Sequence, residues 1–259
     1  MSLVKKRSIV NLLKSRRSIR IFKPISIPDE VVRLLVEVGV RAPTPSHLQL
    51  YSLIWVRSPE KREKLSEICQ EEIVKNASII LLVCGDLRRA AKMLDLLEHR
   101  HVLSSDKHPV ETVMSIFEAA LVVDSITITA ESLGLGSVIL DCPLLYAPII
   151  GRLFNLPRGV VPLALVCIGV RGESPPLRPR LPLEIILHED SYRELAEDEL
   201  RAFLSKLEKH MEMENYVKKY TGKSIKYLDY LRMRTELSKD AEKDYDALIK
   251  YLKENFYKI

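Results

Sequence analysis

Cysteine is sparse in this chain and never paired in the sequence. Cys69, Cys84, Cys142 and Cys167 form no CxxC and no matched spacing, so neither a zinc site nor a disulfide framework is expected. Cys84 and Cys167 fall inside apolar stretches, where a small buried thiol is the ordinary explanation. No uninterrupted apolar run approaches the roughly 18–20 residues that span a bilayer. The opening Met1-Ser2-Leu3-Val4-Lys5-Lys6-Arg7 lacks the apolar core of a secretory signal, and a cytoplasmic protein with no membrane partner is expected. No block of like charge stands out. The formal net charge is +5, and residues 192–259 carry 15 Lys+Arg against 14 Asp+Glu, which argues against nucleic acid as a partner. Glutamine (two) and asparagine (five) are scarce beside 29% charged residues, a composition compatible with a heat-adapted source. Gly134-Leu135-Gly136 lacks the third glycine of a dinucleotide fingerprint and reads as a helix stop.

What is present is an irregular alternation of helices and strands, with 47% hydrophobic residues to build a core. Helices are expected at 7–16, 28–40, 59–75, 87–97, 111–133 and 143–154, and strands at 51–57, 78–85, 137–141, 161–170 and 183–188. Pro28-Asp29-Glu30 places proline and acids in a first turn, a favourable helix start. Residues 111–133 are apolar on most faces and read as a central buried helix. The strand–helix order is not a regular βαβ series, which points to an α+β fold with a mixed central sheet. The histidines of Glu98-His99-Arg100-His101 and His108 follow no recognised ligand spacing. They read as a solvated helix end, with no metal expected.

After residue 190 the chain changes character. Leu195, Leu200, Phe203, Leu204, Leu207 and Met211 recur at helical spacing, Gly222 interrupts, and two further apolar stripes follow, Ile225 to Leu237 and Tyr245 to Phe256. The division expected is a domain over 1–190 and a helical C-terminal extension over 191–259. Ten of the 16 aromatic residues lie in that extension, so it is expected to be ordered. It would pack on its own subunit or on a dimer partner, with recruitment of another protein as the sharper alternative.

Three segments carry candidate chemistry. Arg16-Arg17-Ser18-Ile19-Arg20 gathers three guanidinium groups and a hydroxyl after a short apolar helix. Forked, permanently charged donors suit a phosphate, although a basic helix end also complements the helix dipole. Ala42-Pro43-Thr44-Pro45-Ser46-His47-Leu48-Gln49-Leu50-Tyr51 is forced into a loop by its two prolines, just before a strand, and loops on a rigid scaffold often carry ligand contacts. Arg178-Pro179-Arg180-Leu181-Pro182 sets two more guanidinium groups on a proline-stiffened segment.

The order of these segments, together with Ala130 to Gly136 and the strand Val161 to Gly169, resembles the nitroreductase family of FMN-dependent oxidoreductases over roughly residues 5–190. The resemblance implies that Arg16 and Ser18 hold phosphate or ribityl oxygens and that Arg17 contributes backbone contacts. Arg20 would sit near the N1–O2 edge of the flavin, where a cation stabilises the reduced ring. Arg178 and Arg180 would complete the phosphate clamp. Pro43, Thr44, Pro45 and His47 would reach the flavin of the other subunit of a homodimer, although the family has Asn where His47 stands. Ile139, Leu140, Asp141 and Cys142 would line the flavin, Cys142 replacing a glycine of some relatives. No side chain is required as acid or nucleophile. NAD(P)H would reduce the flavin, which would pass hydride to a small aromatic, quinone or nitro acceptor by a ping-pong scheme. Residues 87–112 would cover the site and tune substrate choice. Alternatives are a flavin-binding scaffold with little turnover and a relative specialised for one metabolite or for flavin itself. Members of the family often end soon after the Arg-Leu-Pro element, so the long tail reads as a departure.

Overall fold

The computed structural model describes residues 9–105 and 108–256. Residues 7 and 8 of the first expected helix lie outside them, as do 106 and 107 of the expected cover. The chain forms two compact units, one of Met1–Ser174 with Lys239–Ile259 and one of Pro175–Ser238. The expected boundary at 190 is therefore corrected, and the tail is not one extension: its last helix belongs to the first unit.

The first unit opens with α1 (Ile9–Ser15), β1 (Phe22–Lys23), α2 (Asp29–Gly39) and β2 (Tyr51–Trp55). Next come α3 (Pro59–Cys69), α4 (Ile73–Asn76), β3 (Ile79–Asp86) and α5 (Leu87–Asp95). The long α6 (Pro109–Ser132) leads to β4 (Gly136–Leu140), α7 (Cys142–Leu145), α8 (Ala147–Leu153) and β5 (Val160–Arg171). The sheet runs β1-β5-β3-β2, and β4 also pairs with β5. All these pairings are antiparallel, with Ile79 opposite Ile168, Tyr51 opposite Gly85 and Gly136 opposite Gly169. The parallel component is an isolated bridge between Ser18 and Ser137.

Both faces of the sheet are covered, which explains why β3 is apolar at nearly every position rather than alternating. Ile80, Leu82 and Cys84 face Leu65, Val74 and Ile150 of α3, α4 and α8. Ile79, Leu81 and Val83 face Val32 and Leu35 of α2 and Ala119, Val122 and Ile126 of α6. By length and composition α6 could cross a membrane, but here it is the central core helix expected from its apolarity.

Cys69, at the end of α3, and Cys142, at the start of α7, form a disulfide with Cα atoms 5.4 Å apart. This overturns the expectation of four unlinked thiols. The two cysteines are 73 residues apart, and only the packing of α3 beside α7 brings them together. Cys84 and Cys167 are free and buried as expected.

The second unit contains α9 (Leu183–Ile186), α10 (Glu197–Met213), α11 (Tyr216–Thr221) and α12 (Tyr227–Thr235). The strand expected at 183–188 is instead α9, closed by the Leu187 N–H donating to the Leu183 carbonyl at 2.7 Å. Pro182 starts that turn, and no strand is described in this unit for the segment to pair with. The final helix, α13 (Lys239–Asn255), returns to the first unit. There Phe256 joins Leu50, Leu87, Ala90, Leu103 and Val161 at one end of the sheet.

Candidate cofactor site

The arginine strip is held along β4. α1 stops at Ser15, whose Oγ donates back to the Leu12 carbonyl at 3.1 Å. Past that point the Ile19 N–H donates to the Ser137 carbonyl at 2.9 Å. Ile19 is fully buried over Gly136, where an added Cβ would lie 2.8 Å from the Ile19 Cβ. Only glycine permits that approach. The N–H groups of Arg20 and Ile21 both donate to Glu173 Oε1, at 2.7 and 3.2 Å. With Ile19 turned into the core, extended geometry directs Ser18 and Arg20 to the opposite side.

Behind the strip, Glu131 near the end of α6 pairs with Arg171. Burial pushes the Glu131 carboxyl up, while Arg171 and, more distantly, Arg16 and Arg17 pull it down. Arg16, Arg17, Arg20 and Arg171 against Glu131 and Glu173 leave the area with two net positive charges. The cationic character expected from the sequence thus survives its carboxylate neighbours. Arg17 uses its Nε on the Ser15 carbonyl at 3.2 Å. At the other end of β4, Ile139 and Asp141 are exposed while Leu140 and Cys142 are buried. The sulfur of Cys142 is bonded to Cys69, so the free thiol expected beside a flavin does not exist.

The proline loop is built on a different part of α6. Glu118, 1% exposed, accepts from Thr44 Oγ1 at 2.9 Å and from the Leu50 N–H at 3.0 Å, both on Oε2. Thr44 Oγ1 in turn accepts from the Gln49 N–H at 3.1 Å. From α5, Arg89 donates to the carbonyls of Gln49 and Tyr51, and its helix is capped by Asp86. Burial and then the Glu118 charge push the Tyr51 phenol up, and Arg89 pulls it down. Ser46, His47 and Gln49 all have positive φ, at 51°, 56° and 50°, which non-glycine residues rarely adopt. Pro43, Pro45 and His47 are exposed and Thr44 is half-buried. Glu118 and Arg89 were not singled out in the sequence. An acid inside an otherwise apolar helix was the signal available.

Arg178 and Arg180 belong to the second unit. Arg178 forms a two-pronged pair with Glu214, Nε and Nη2 donating at 3.1 and 3.0 Å, and stacks 4.5 Å from the Tyr216 ring centre. Its donor fork is therefore engaged by a carboxylate, and it is not displayed as the open phosphate donor the sequence suggested. Arg180 is exposed, with Nη1 on the carbonyls of Arg178 and Pro179.

The strip and the loop are not adjacent within one chain. Glu118, which anchors the loop, and Glu131, the α6 carboxylate whose charge acts on Arg16 and Arg17, are 13 residues apart, about 20 Å along a helix. A recess of about 300 Å³ between α2 and β2, walled by Val32, Val36, Leu53, Trp55 and Leu81, contains no residue of either. Neither does a recess of about 330 Å³ in the second unit, bordered by Tyr216, Lys223 and Tyr227.

A model of the nitroreductase family matches residues 13–170. An NADPH-dependent oxidoreductase of Staphylococcus saprophyticus is 30% identical over 195 residues, covering 71% of this chain and 74% of its own. An FMN reductase [NAD(P)H] of Bacillus subtilis is 28% identical over 216 residues, covering 83% and 84%. Among solved structures, nitroreductase NfrA1 of Bacillus subtilis superposes with a TM-score of 0.78 at 23% identity, covering 94% of this chain and 98% of its own. That coverage corrects the reading of the tail as a departure, because a solved relative shares the fold nearly end to end.

Proposed function

This chain belongs to the nitroreductase family, and we propose that it is an FMN-dependent NAD(P)H oxidoreductase acting on a small aromatic, quinone or nitro-type acceptor. The observation that carries the proposal is the arginine strip pinned along β4. Its backbone is tied to Ser137 and Glu173, Ile19 is buried beneath it, and its surroundings keep a net positive charge. That donor set fits a flavin mononucleotide. Arg16 and Ser18 would hold the phosphate and ribityl oxygens, Arg20 the N1–O2 edge, and Ile139 and Asp141 would border the ring. Arg180 remains a phosphate candidate, whereas Arg178 serves its pair with Glu214. Bound FMN would supply two-electron chemistry, taking hydride from NAD(P)H and delivering it to the acceptor by turns in one site, a ping-pong scheme.

The roughly 20 Å between Glu118 under the loop and Glu131 behind the strip supports a site shared by two copies, the Pro43–His47 loop of one completing the strip of the other. Exposed apolar residues on α1 and α6 (Ile9, Val10, Val110, Val113 and Phe117) offer a surface for that pairing. Light scattering is expected to report a dimer, and a monodisperse monomer that retains flavin would contradict the shared site.

The purified protein is expected to be yellow and to release FMN, not FAD, on denaturation. A desolvated charge-assisted contact contributes about 1.5–3 kcal/mol, so Arg16→Ala should weaken FMN binding roughly ten- to a hundredfold. Arg57→Ala removes an exposed pair with Asp29 and a stacking contact on Trp55, neither of which involves the strip, and should bind like the parent. Flavin fluorescence titration compares both variants with the parent. Unchanged binding in Arg16→Ala would show that the strip does not hold the phosphate.

A further inference from the structure

A carboxylate buried in an apolar helix normally has a cation or a full set of donors. Glu118 has neither. It lies between the apolar Phe117 and Ala119 on α6, no ion pair to it occurs among the described residues, and its Oε1 has no hydrogen-bond partner there. Both hydrogen bonds it does accept, from the Thr44 hydroxyl and the Leu50 N–H, come from the two ends of the proline loop. The remaining polar groups of that loop are tied in a matching way. Thr44 Oγ1 accepts from the Gln49 N–H, and the carbonyls of Gln49 and Tyr51 accept from Arg89. Between these ties sit three left-handed non-glycine residues, Ser46, His47 and Gln49, a conformation that persists only where its surroundings over-determine it. An apolar residue at position 118 would fill the core without a buried charge. Only an acceptor can hold both ends of the loop.

We propose that Glu118 is a positioning residue for the cofactor-facing loop: from the core of α6 it closes residues 44–50 into the shape that presents Pro43, Pro45 and His47 outward. The inference rests on the proposed function for what the loop faces, and not for the clamp itself. A glutamine keeps a carbonyl that can accept from both Thr44 and Leu50. An alanine keeps none. Thr44→Val removes the hydroxyl from the loop side and leaves α6 untouched, so it tests the same contact without disturbing the core.

Hydrogen exchange on the full-length chain, without flavin, reads the clamp at the amides of Gln49 and Leu50. Loss of a hydrogen bond of ordinary strength should speed their exchange about tenfold in Glu118→Ala. In Thr44→Val the effect should fall on Gln49. Glu118→Gln should restore parental exchange. FMN affinity, measured by flavin fluorescence, should follow the same order, about tenfold weaker in Glu118→Ala and Thr44→Val and close to parental in Glu118→Gln. Parental exchange in both Glu118→Ala and Thr44→Val would overturn the clamp. Faster exchange with unchanged FMN affinity would overturn the assignment of the loop to the cofactor. If Glu118→Ala does not fold, Thr44→Val decides. If the parent binds no FMN, the proposed function fails while the exchange result still judges the clamp.

Discussion

Replacing Phe256 with alanine is expected to destabilise the first unit by about 3–5 kcal/mol, the range for deleting a buried aromatic ring. Phe256 is 2% exposed at the end of the chain's final helix, among Leu50, Leu87, Ala90, Leu103 and Val161. Its ring lies over Gly85 so closely that an added Cβ would meet Phe256 Cζ at 2.8 Å, and that glycine has no side chain to fill the space the ring would leave. The backbone is fixed as well, since the Gly159 N–H donates to the Asn255 carbonyl at 2.7 Å. One turn earlier Tyr251 lies against Gly151, and burial pushes its phenol up to about 12, so it is neutral and acts as a packing group at physiological pH. Truncation after Ser238 removes all of α13 and should be worse than the point substitution. Truncation after Asp190 removes the same helix, and is expected to disrupt the sheet domain instead of merely trimming a tail. Denaturant unfolding measures the effect. A loss below about 1 kcal/mol in Phe256→Ala would mean that α13 does not seat in the core.

Reduction of the Cys69–Cys142 bond is expected to have an effect of similar size. The bond closes a loop of 73 residues, for which chain entropy gives about 4 kcal/mol, against a usual measured range of roughly 2–4 kcal/mol. Both cysteines are in the core cluster beneath α3 and β4, and Cys142 directly follows Asp141 at the end of the strand that carries the arginine strip. Thiol titration provides a direct count. Cys84 and Cys167 are buried, and burial pushes their thiols up to about 12, so both stay protonated and unreactive in the folded protein near neutral pH. The folded protein should therefore show no reactive thiol. Protein unfolded without reductant should show the two free cysteines, and reductant should raise the count to all four. Four thiols in the unreduced unfolded protein would show that the bond is absent in solution. The Cys142→Ser variant should lose the same stability as reduction.

Much of the architecture was legible because its cause was local. The helix over α2 followed from the proline and acids of its first turn, Pro28-Asp29-Glu30. The buried strand β3 followed from an unbroken run of aliphatic residues, and α6 from apolarity on most of its faces. Arg16 to Arg20 marked the strip because guanidinium groups are charged in any setting. Where the reading failed, the deciding contact was distant in sequence. Residues 183–188 had the composition of a strand, but a strand needs a partner edge and the second unit offers none. The uniform periodicity of the tail predicts one piece, whereas α13 packs on the sheet domain and α10 to α12 belong to the second unit.

The sequence by itself determined the α+β class, the helical character of residues 191–259 and the presence of a cationic strip, since period, turn chemistry and permanent charge are properties of short segments. Tertiary structure decided the rest. It joined Cys69 to Cys142, because a disulfide depends on Cα separation and not on spacing along the chain. It engaged Arg178 with Glu214, because a carboxylate that packing brings beside a donor fork claims it whatever its motif suggests. It also placed Glu118 beneath the proline loop, because a buried acid binds the donors that packing brings to it, and here those come from a loop more than sixty residues away in the chain.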